Sequence, residues 1–467
     1  MARRLNQSPG AFGRYRWKEL GLLIIPFMIL LLEMTQLLLV PLLKEDPAAS
    51  FSLKHLPTAQ ALIPVLGLIG VLLGTNLLFS VFFPKADQML LPVVGLLSGI
   101  GMLMATRLGP NVGDPTLGSR QLIWVILGVF GCIVTLFLLR NMDWLRRYKY
   151  TWAALGIILV GITLGNTLRV KNLDSPTHDQ LNIGPFNLQP SELLKICIII
   201  FFAAYLSLTE NRDILAGGSR FIGRLRLPPI RKLGPIFVML GISLLLFLVV
   251  RELGLALLIY GLFLCMIYLS SGKFAYVIGG LFLFVLLGFI GYSLFSYVRL
   301  RFAALPINLV TPGAFNEDLY QKSAYQIVQG LIALASGGII GSGLGLGHPG
   351  FVPVIQSDMV LTALGEEFGL AGLFAIIGLY LLLIYRGFRI AVETTNPFNQ
   401  LLAAGLTSIF AIQTLIISAG NMKLIPLTGI PLPFLSYGGS SVIANYIIVG
   451  ILLRISHNTA LEREGLA

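Results

Sequence analysis

The chain holds few charged residues, and several of them sit beside long apolar runs, where an ionisable side chain is costly and is a functional candidate by default. Asp358 is the sharpest of these. It closes the string Phe351-Val352-Pro353-Val354-Ile355-Gln356-Ser357-Asp358 and opens an apolar run. A carboxylate there can take a proton as a general base. From spacing alone the simpler role is a helix N-cap, which either Ser357 or Asp358 could fill. Glu366 and Glu367 follow, Glu366 about 12 Å deeper along a helix rising 1.5 Å per residue, so at least one of them needs a polar cavity or partner. Glu192 and Lys195 lie in Gln189-Pro190-Ser191-Glu192-Leu193-Leu194-Lys195. Pro190 suits a first helical turn, and the i,i+3 spacing puts Glu192 and Lys195 on one face, where they can pair. A structural ion pair and a share in a reactive site weigh equally for these two. Arg251-Glu252 marks a tight turn, and Glu252 also reads as a simple partner of a helix dipole. Arg299 and Arg301, taken alone, read as anchors at a membrane surface, and Glu33 stands by itself in the first apolar run.

Two strings have unusual backbone chemistry. Gly341-Ser342-Gly343-Leu344-Gly345-Leu346-Gly347 does not keep the G-x-G-x-x-G spacing of a nucleotide loop and lacks its strand–helix context. Tight turns and close backbone approach explain it better. Near the C-terminus, Leu424-Ile425-Pro426-Leu427-Thr428-Gly429-Ile430-Pro431-Leu432-Pro433-Phe434-Leu435-Ser436-Tyr437-Gly438-Gly439-Ser440-Ser441 interrupts an apolar stretch with prolines, a Gly-Gly pair and hydroxyls. Free backbone groups at membrane depth are tolerated only beside protein or a watery cavity, so this segment lines something polar.

The elements that position these residues are membrane helices. Of the 467 residues 56% are hydrophobic and 12% charged, against about 25% charged in a soluble domain. That excludes a disordered chain, a coiled coil and an ordinary cytosolic enzyme. Twelve runs are predicted to span a membrane: 20–43, 61–83, 90–106, 121–139, 151–168, 190–209, 234–250, 253–270, 274–296, 358–385, 400–421 and 432–454. The first is too long for a signal-peptide core and is read as a retained helix. With the N-terminus in the cytoplasm, roughly two thirds of the Lys and Arg fall on the inner side, so both termini are expected inside. The net charge of +12 is then topology, and a nucleic-acid partner is unnecessary. One outer loop is long, at 297–357, and its apolar stretch 327–340 predicts a half-helix or amphipathic piece near the interface. Cys132, Cys197 and Cys265, with His55, His178, His348 and His457, show no zinc spacing and no disulfide framework.

The C-terminal string from Ile430 to Ser441 resembles the signature of the SEDS family (shape, elongation, division and sporulation), the RodA- and FtsW-like proteins. Gln189-Pro190-Ser191-Glu192 with Lys195 resembles the second signature of that family, and Arg251-Glu252-Leu253-Gly254 its Pro/Arg-Asp-Leu-Gly turn. The stretch from Phe351 to Asp358 and Gly365-Glu366-Glu367-Phe368-Gly369 resemble two further strings of the family. The resemblance runs from about residue 90 to the end, which makes 90–467 a ten-helix catalytic core and 1–89 a tail with two additional helices. It departs from the family pattern at Glu252, which stands for the usual Asp, and at Leu255, Gln356 and Met359.

The resemblance implies an all-α polytopic membrane enzyme of the bacterial plasma membrane, a peptidoglycan glycosyltransferase that polymerises lipid II at the outer face. It implies an essential aspartate at Asp358, with Glu192, Lys195 and Glu252 lining the same cavity as Ser436, Tyr437, Gly438, Gly439 and Ser440. The leaving polyprenyl pyrophosphate needs cations, and Arg299, Arg301, Lys195 and Lys423 are the outer-face candidates. No cofactor is identifiable, no metal site is read, and a divalent cation stays open. The resemblance implies a class B penicillin-binding transpeptidase as partner. The N-terminal pair of helices and the wording Leu424–Gly429 favour the RodA-like branch and a role in elongation over division. Two other classes stand beside this reading, a lipid II flippase and a non-catalytic scaffold of a cell-wall complex.

Overall fold

The computed structural model describes residues 15–45, 62–169, 181–183, 186–208, 220–222, 225–227, 241, 252–303, 305 and 324–465. The predicted run 234–250 and Arg251 lie outside the described residues, apart from Gly241 in a helical position. So does 306–323 of the long loop.

Helices dominate. In chain order they are α1 (Trp17–Glu45), α2 (Ile63–Phe82), α3 (Leu90–Val112), α4 (Leu117–Leu138), the short α5 (Asp143–Arg147), α6 (Lys149–Arg169), α7 (Pro190–Leu206), α8 (Leu253–Ser271), α9 (Phe274–Leu294), α10 (Ser296–Ala303), α11 (Tyr325–Gly337), α12 (Val360–Glu393), α13 (Pro397–Asn421) and α14 (Gly439–Arg463). Among the described residues nine helices are long and apolar enough to cross a membrane, so the protein is a polytopic membrane protein of the all-α class. The only strands among the described residues form two hairpins of three-residue strands, β1 (Leu181–Ile183) with β2 (Phe186–Leu188) and β3 (Arg220–Ile222) with β4 (Leu225–Leu227). The amphipathic piece expected within 327–340 is α11.

Several boundaries differ from the hydropathy reading, and two of them have a clear cause. The last helix starts at Gly439 rather than at 432, because Pro431 and Pro433 lack the N–H a helix needs and Phe434 holds a positive φ of 66°. The helix α12 runs past 385 to Glu393, since Arg386 pairs with Asp87 and Arg389 with Glu393 at 2.7 Å, so the charges that looked like a loop continue the helix.

Within the bundle α14 lies along α4, α12 along α13, and α6 along α7. Lipid is as apolar as leucine, so membrane helices gain by approaching closely through small residues. Gly128 of α4 faces the Tyr446 ring of α14, and Gly450 of α14 lies against the Cys132 backbone of α4. The N-terminal helices α1 and α2 dock on α3 and α4. Their fastening is polar: Arg16 pairs with Glu19, both fully buried, and donates to the carbonyls of Phe83 at 2.9 Å and Asp87 at 2.6 Å.

Candidate active site

The helix α12 is broken at Gly369, whose φ of 66° and ψ of −170° suit glycine almost alone. A break frees backbone groups that a bilayer cannot satisfy. The glycine-rich loop supplies the partners. Ser342 and Gly343 donate their N–H groups to the carbonyls of Glu366 and Glu367 at 2.9 and 3.0 Å, and Leu370 and Ala371 donate to those of Gly338 and Ile339 at 3.0 Å. Side chains complete the join. The His348 N–H donates to Glu366 Oε1 at 2.7 Å, while Arg107 Nε meets Glu367 Oε1 at 2.9 Å and its Nη2 donates to the Gly347 carbonyl at 2.8 Å. Glu366 and Glu367 therefore both have partners, and both hold the glycine-rich loop to α12. Neither Arg107 nor this division of labour was visible in the sequence, since Arg107 is far from the loop along the chain.

From that loop the chain passes a 3-10 turn at Pro349–Phe351 and reaches Val354, a β-branched residue at φ 54°, a conformation of order 1–3 kcal/mol above its alternatives. Asp358 follows four residues later, half-buried, with Ser357 Oγ donating to its Oδ1 at 3.2 Å. Burial pushes the Asp358 carboxyl up to about 6, against the opposing pull of its own backbone N–H, the Ser357 hydroxyl and the Arg301 charge. The N-cap position of α12 is Met359, and no side-chain cap bond is made there. The competing reading of Asp358 as a cap thus has no hydrogen bond behind it.

The C-terminal string closes over this aspartate. The Tyr437 N–H donates to the Gln356 carbonyl at 2.8 Å. The Ser436 hydroxyl donates to the Ser357 carbonyl and accepts the Leu432 N–H, the latter at 2.7 Å. Phe434, at positive φ, is buried between Phe410 and Tyr446, with ring centroids 5.6 and 5.5 Å away. Tyr380 holds the Pro433 carbonyl at 2.5 Å. Gly438 leads into α14, and Gly439 packs so closely on the Trp124 indole that a Cβ would overlap it. The Ser440 hydroxyl accepts the Gln189 N–H at 3.2 Å, which ties the start of α7 to the start of α14.

Glu192 and Lys195 on α7 form a buried ion pair at 2.7 Å. Lys195 Nζ also donates to Gln413 Oε1 at 3.0 Å, and Gln413 Nε2 donates to the Pro431 carbonyl at 2.6 Å. Gln413 was missed because a search for ionisable residues passes over amides, although a glutamine in the apolar run 400–421 is itself a signal. Arg301 on α10 donates to the Leu427 carbonyl at 3.0 Å, and its charge acts on Asp358. Arg299 is exposed on the same helix. Glu252 occupies the position before α8, where Gly254 abuts the Thr428 carbonyl, and Lys423 holds a turn after α13 at φ 61°. Asp358, Ser436, Tyr437 and Arg301 thus converge. Glu192, Lys195 and Ser440 reach the same string one layer out. Among the described residues no three His, Cys, Asp or Glu side chains form a group able to hold a metal ion.

A family model described as cell cycle protein, covering FtsW, RodA and SpoVE, matches residues 87–461. The peptidoglycan glycosyltransferase RodA of Mycobacterium tuberculosis (strain ATCC 25618 / H37Rv) is 37% identical over 385 residues, 80% of this chain and 79% of that protein. The stage V sporulation protein E of Bacillus subtilis (strain 168) is 31% identical over 384 residues, 79% of this chain and 96% of that protein. A chain solved in a study of how a peptidoglycan synthase complex coordinates polymerization and crosslinking superposes with a TM-score of 0.59 at 21% identity, covering 80% of this chain and 98% of that one. That last likeness carries the fold. Bundle, site and relatives together define a polytopic membrane glycosyltransferase. The chain belongs to the FtsW/RodA/SpoVE family of cell cycle proteins.

Proposed function

We propose that this glycosyltransferase polymerises lipid II into glycan strands at the outer face of the bacterial plasma membrane, with Asp358 as general base. The observation that carries the reading is the setting of Asp358: a half-buried carboxyl raised to about 6, held beside Arg301 by a loop stitched to the family string 430–441. A carboxylate with that pKa is ionised at neutral pH and still basic enough to take a proton. The 4-hydroxyl oxygen of the acceptor sugar attacks the anomeric carbon of the donor. The bond from that carbon to the pyrophosphate oxygen breaks, the electron pair leaves with the polyprenyl pyrophosphate, and the hydroxyl proton passes to Asp358. Arg301, whose charge acts on Asp358, faces that event, with Arg299 and Lys423 as further contacts for the pyrophosphate. Lys195 is held by Glu192 and Gln413, which supports a structural part for it.

The greater identity to RodA than to SpoVE supports a role in elongation. The family match beginning at residue 87 supports a division into an added N-terminal segment, 1–89, and a core, 90–467, and the bias of Lys and Arg to one side supports both termini in the cytoplasm. The likeness to a synthase-complex chain supports a class B penicillin-binding transpeptidase as partner. The test is to supply the purified protein with lipid II, alone and with such a transpeptidase, and to resolve the products on a gel. Glycan strands are expected. Labelled lipid II that crosses a proteoliposome membrane without being polymerised would instead establish a flippase.

A further inference from the structure

At the end of the bundle remote from Asp358, the geometry points to a binding site for the phosphodiester headgroup of an anionic lipid, centred on Arg454 and Arg140. Arg454 lies fifteen residues along α14 from Gly439, about 22 Å from the end that carries the catalytic string. It is only 8% exposed, and among the described residues it has no carboxylate partner. Its Nη2 donates to the Arg140 carbonyl at 3.2 Å, its guanidinium lies 5.6 Å from the centre of the Phe83 ring, and its Nε has no hydrogen-bond partner. Nearby charge does not compensate it. The Arg140 guanidinium is close enough to repel it, and His457, one turn on, also faces Phe83 with an unpartnered Nδ1. Among the described residues, Glu19 is already taken by Arg16 and Asp87 by Arg386. A guanidinium buried without an anion is expensive, and the shortfall here is one negative charge.

The surroundings say which anion. Arg140 opens the segment 140–150, where Arg146 and Arg147 are exposed and Lys149 half-exposed, with Asp143 as the one acid. Trp144 and Tyr148 stand exposed on the same segment, 5.8 Å apart, and Met142 and Leu145 anchor it in the core. Exposed indole and phenol beside basic residues at the end of apolar helices mark the headgroup level of a bilayer. Basic pockets between membrane helices at that level take anionic headgroups. The positive-inside bias accounts for Arg146, Arg147 and Lys149 on the surface. It does not account for Arg454, which is buried.

Retention of lipid can be read without turnover, so the test is independent of the reaction at the other end. Full-length protein is purified with phosphatidylglycerol or with phosphatidylcholine, and bound lipid is counted by native mass spectrometry. Phosphatidylglycerol should be retained selectively. Arg140→Gln, an exposed change that leaves folding intact, should lower that retention about fivefold, as expected for one basic residue at a lipid surface. Arg454→Gln should lower it at least as far, and the added lipid should raise the Tm of the wild type more than that of either variant. Equal retention of the two lipids overturns the site, as does an Arg140→Gln protein that retains phosphatidylglycerol like the wild type. Full displacement of the lipid by millimolar inorganic phosphate makes it a free-anion site and overturns the lipid assignment.

Discussion

With Asp358 as the proposed base, function and stability pull in opposite directions at this residue. Its carboxyl ionises at about 6 in the folded protein and near its ordinary value when unfolded. The folded state therefore binds this proton more tightly. The resulting cost is absent below the unfolded value, grows as pH rises through the folded one and is fully present above it. Asp358→Asn removes that cost, so its Tm at pH 7.5 should equal or exceed that of the wild type, measured by a fluorescence melt. A clear fall in Tm would mean that the carboxylate is a structural partner. The same shift sets the acid limb of the reaction: kcat/KM for lipid II should fall tenfold per pH unit below about 6 in the partner-free enzyme. A limb near 4 would contradict a buried base. Asp358 was visible in the sequence as the charge that ends a loop and opens a span. The anchoring of its loop was not, because Ser436 and Tyr437 reach the Ser357 and Gln356 carbonyls across some 80 residues of chain, and any residue would carry those carbonyls.

At the level of elements, a broken helix and a buried ion pair hold the loop and the C-terminal string in place. Gly369→Ala forces a side chain into a conformation that costs about 1–3 kcal/mol, and it should lower both Tm and polymerisation by loosening the loop that leads to Asp358. Gly378→Ala, on the same helix with open space at its Cβ, should leave Tm unchanged or slightly higher. Equal behaviour of the two variants would remove the break from the account. Glu192→Gln strands a buried lysine and should cost about 3–5 kcal/mol, whereas Glu192→Gln combined with Lys195→Met should recover much of that. If the double variant recovers stability but not activity, the pair has a part in the reaction beyond packing. The spacing of Glu192 and Lys195 showed the pair. It could not show that Gln413 carries it on to Pro431, since that contact depends on how α7 and α13 cross. Among the described residues hydropathy located the helices but misplaced the start of α14, where apolar residues continue through a segment whose backbone is not helical.

For the whole molecule, composition was the strongest guide: so little charge leaves lipid as the main solvent, and the basic excess reads as a signal of orientation. What it hid is that some of those basic residues are buried. Arg16 fastens the N-terminal helices to the rest of the bundle, and Arg454 stands without a counter-charge among the described residues. Orientation is testable by cysteine labelling in intact cells, with Phe351→Cys expected to react with an impermeant reagent and Arg147→Cys only after permeabilisation; both positions are exposed. The reverse pattern would put Asp358 on the wrong side for the proposed substrate. The most direct measurement sets purified wild type and Asp358→Asn side by side on lipid II, with matched Tm values as proof of folding. Long glycan strands from the wild type and none from the variant are the expected result. Strands of normal length from the folded Asp358→Asn protein would contradict the assignment of Asp358 as the base.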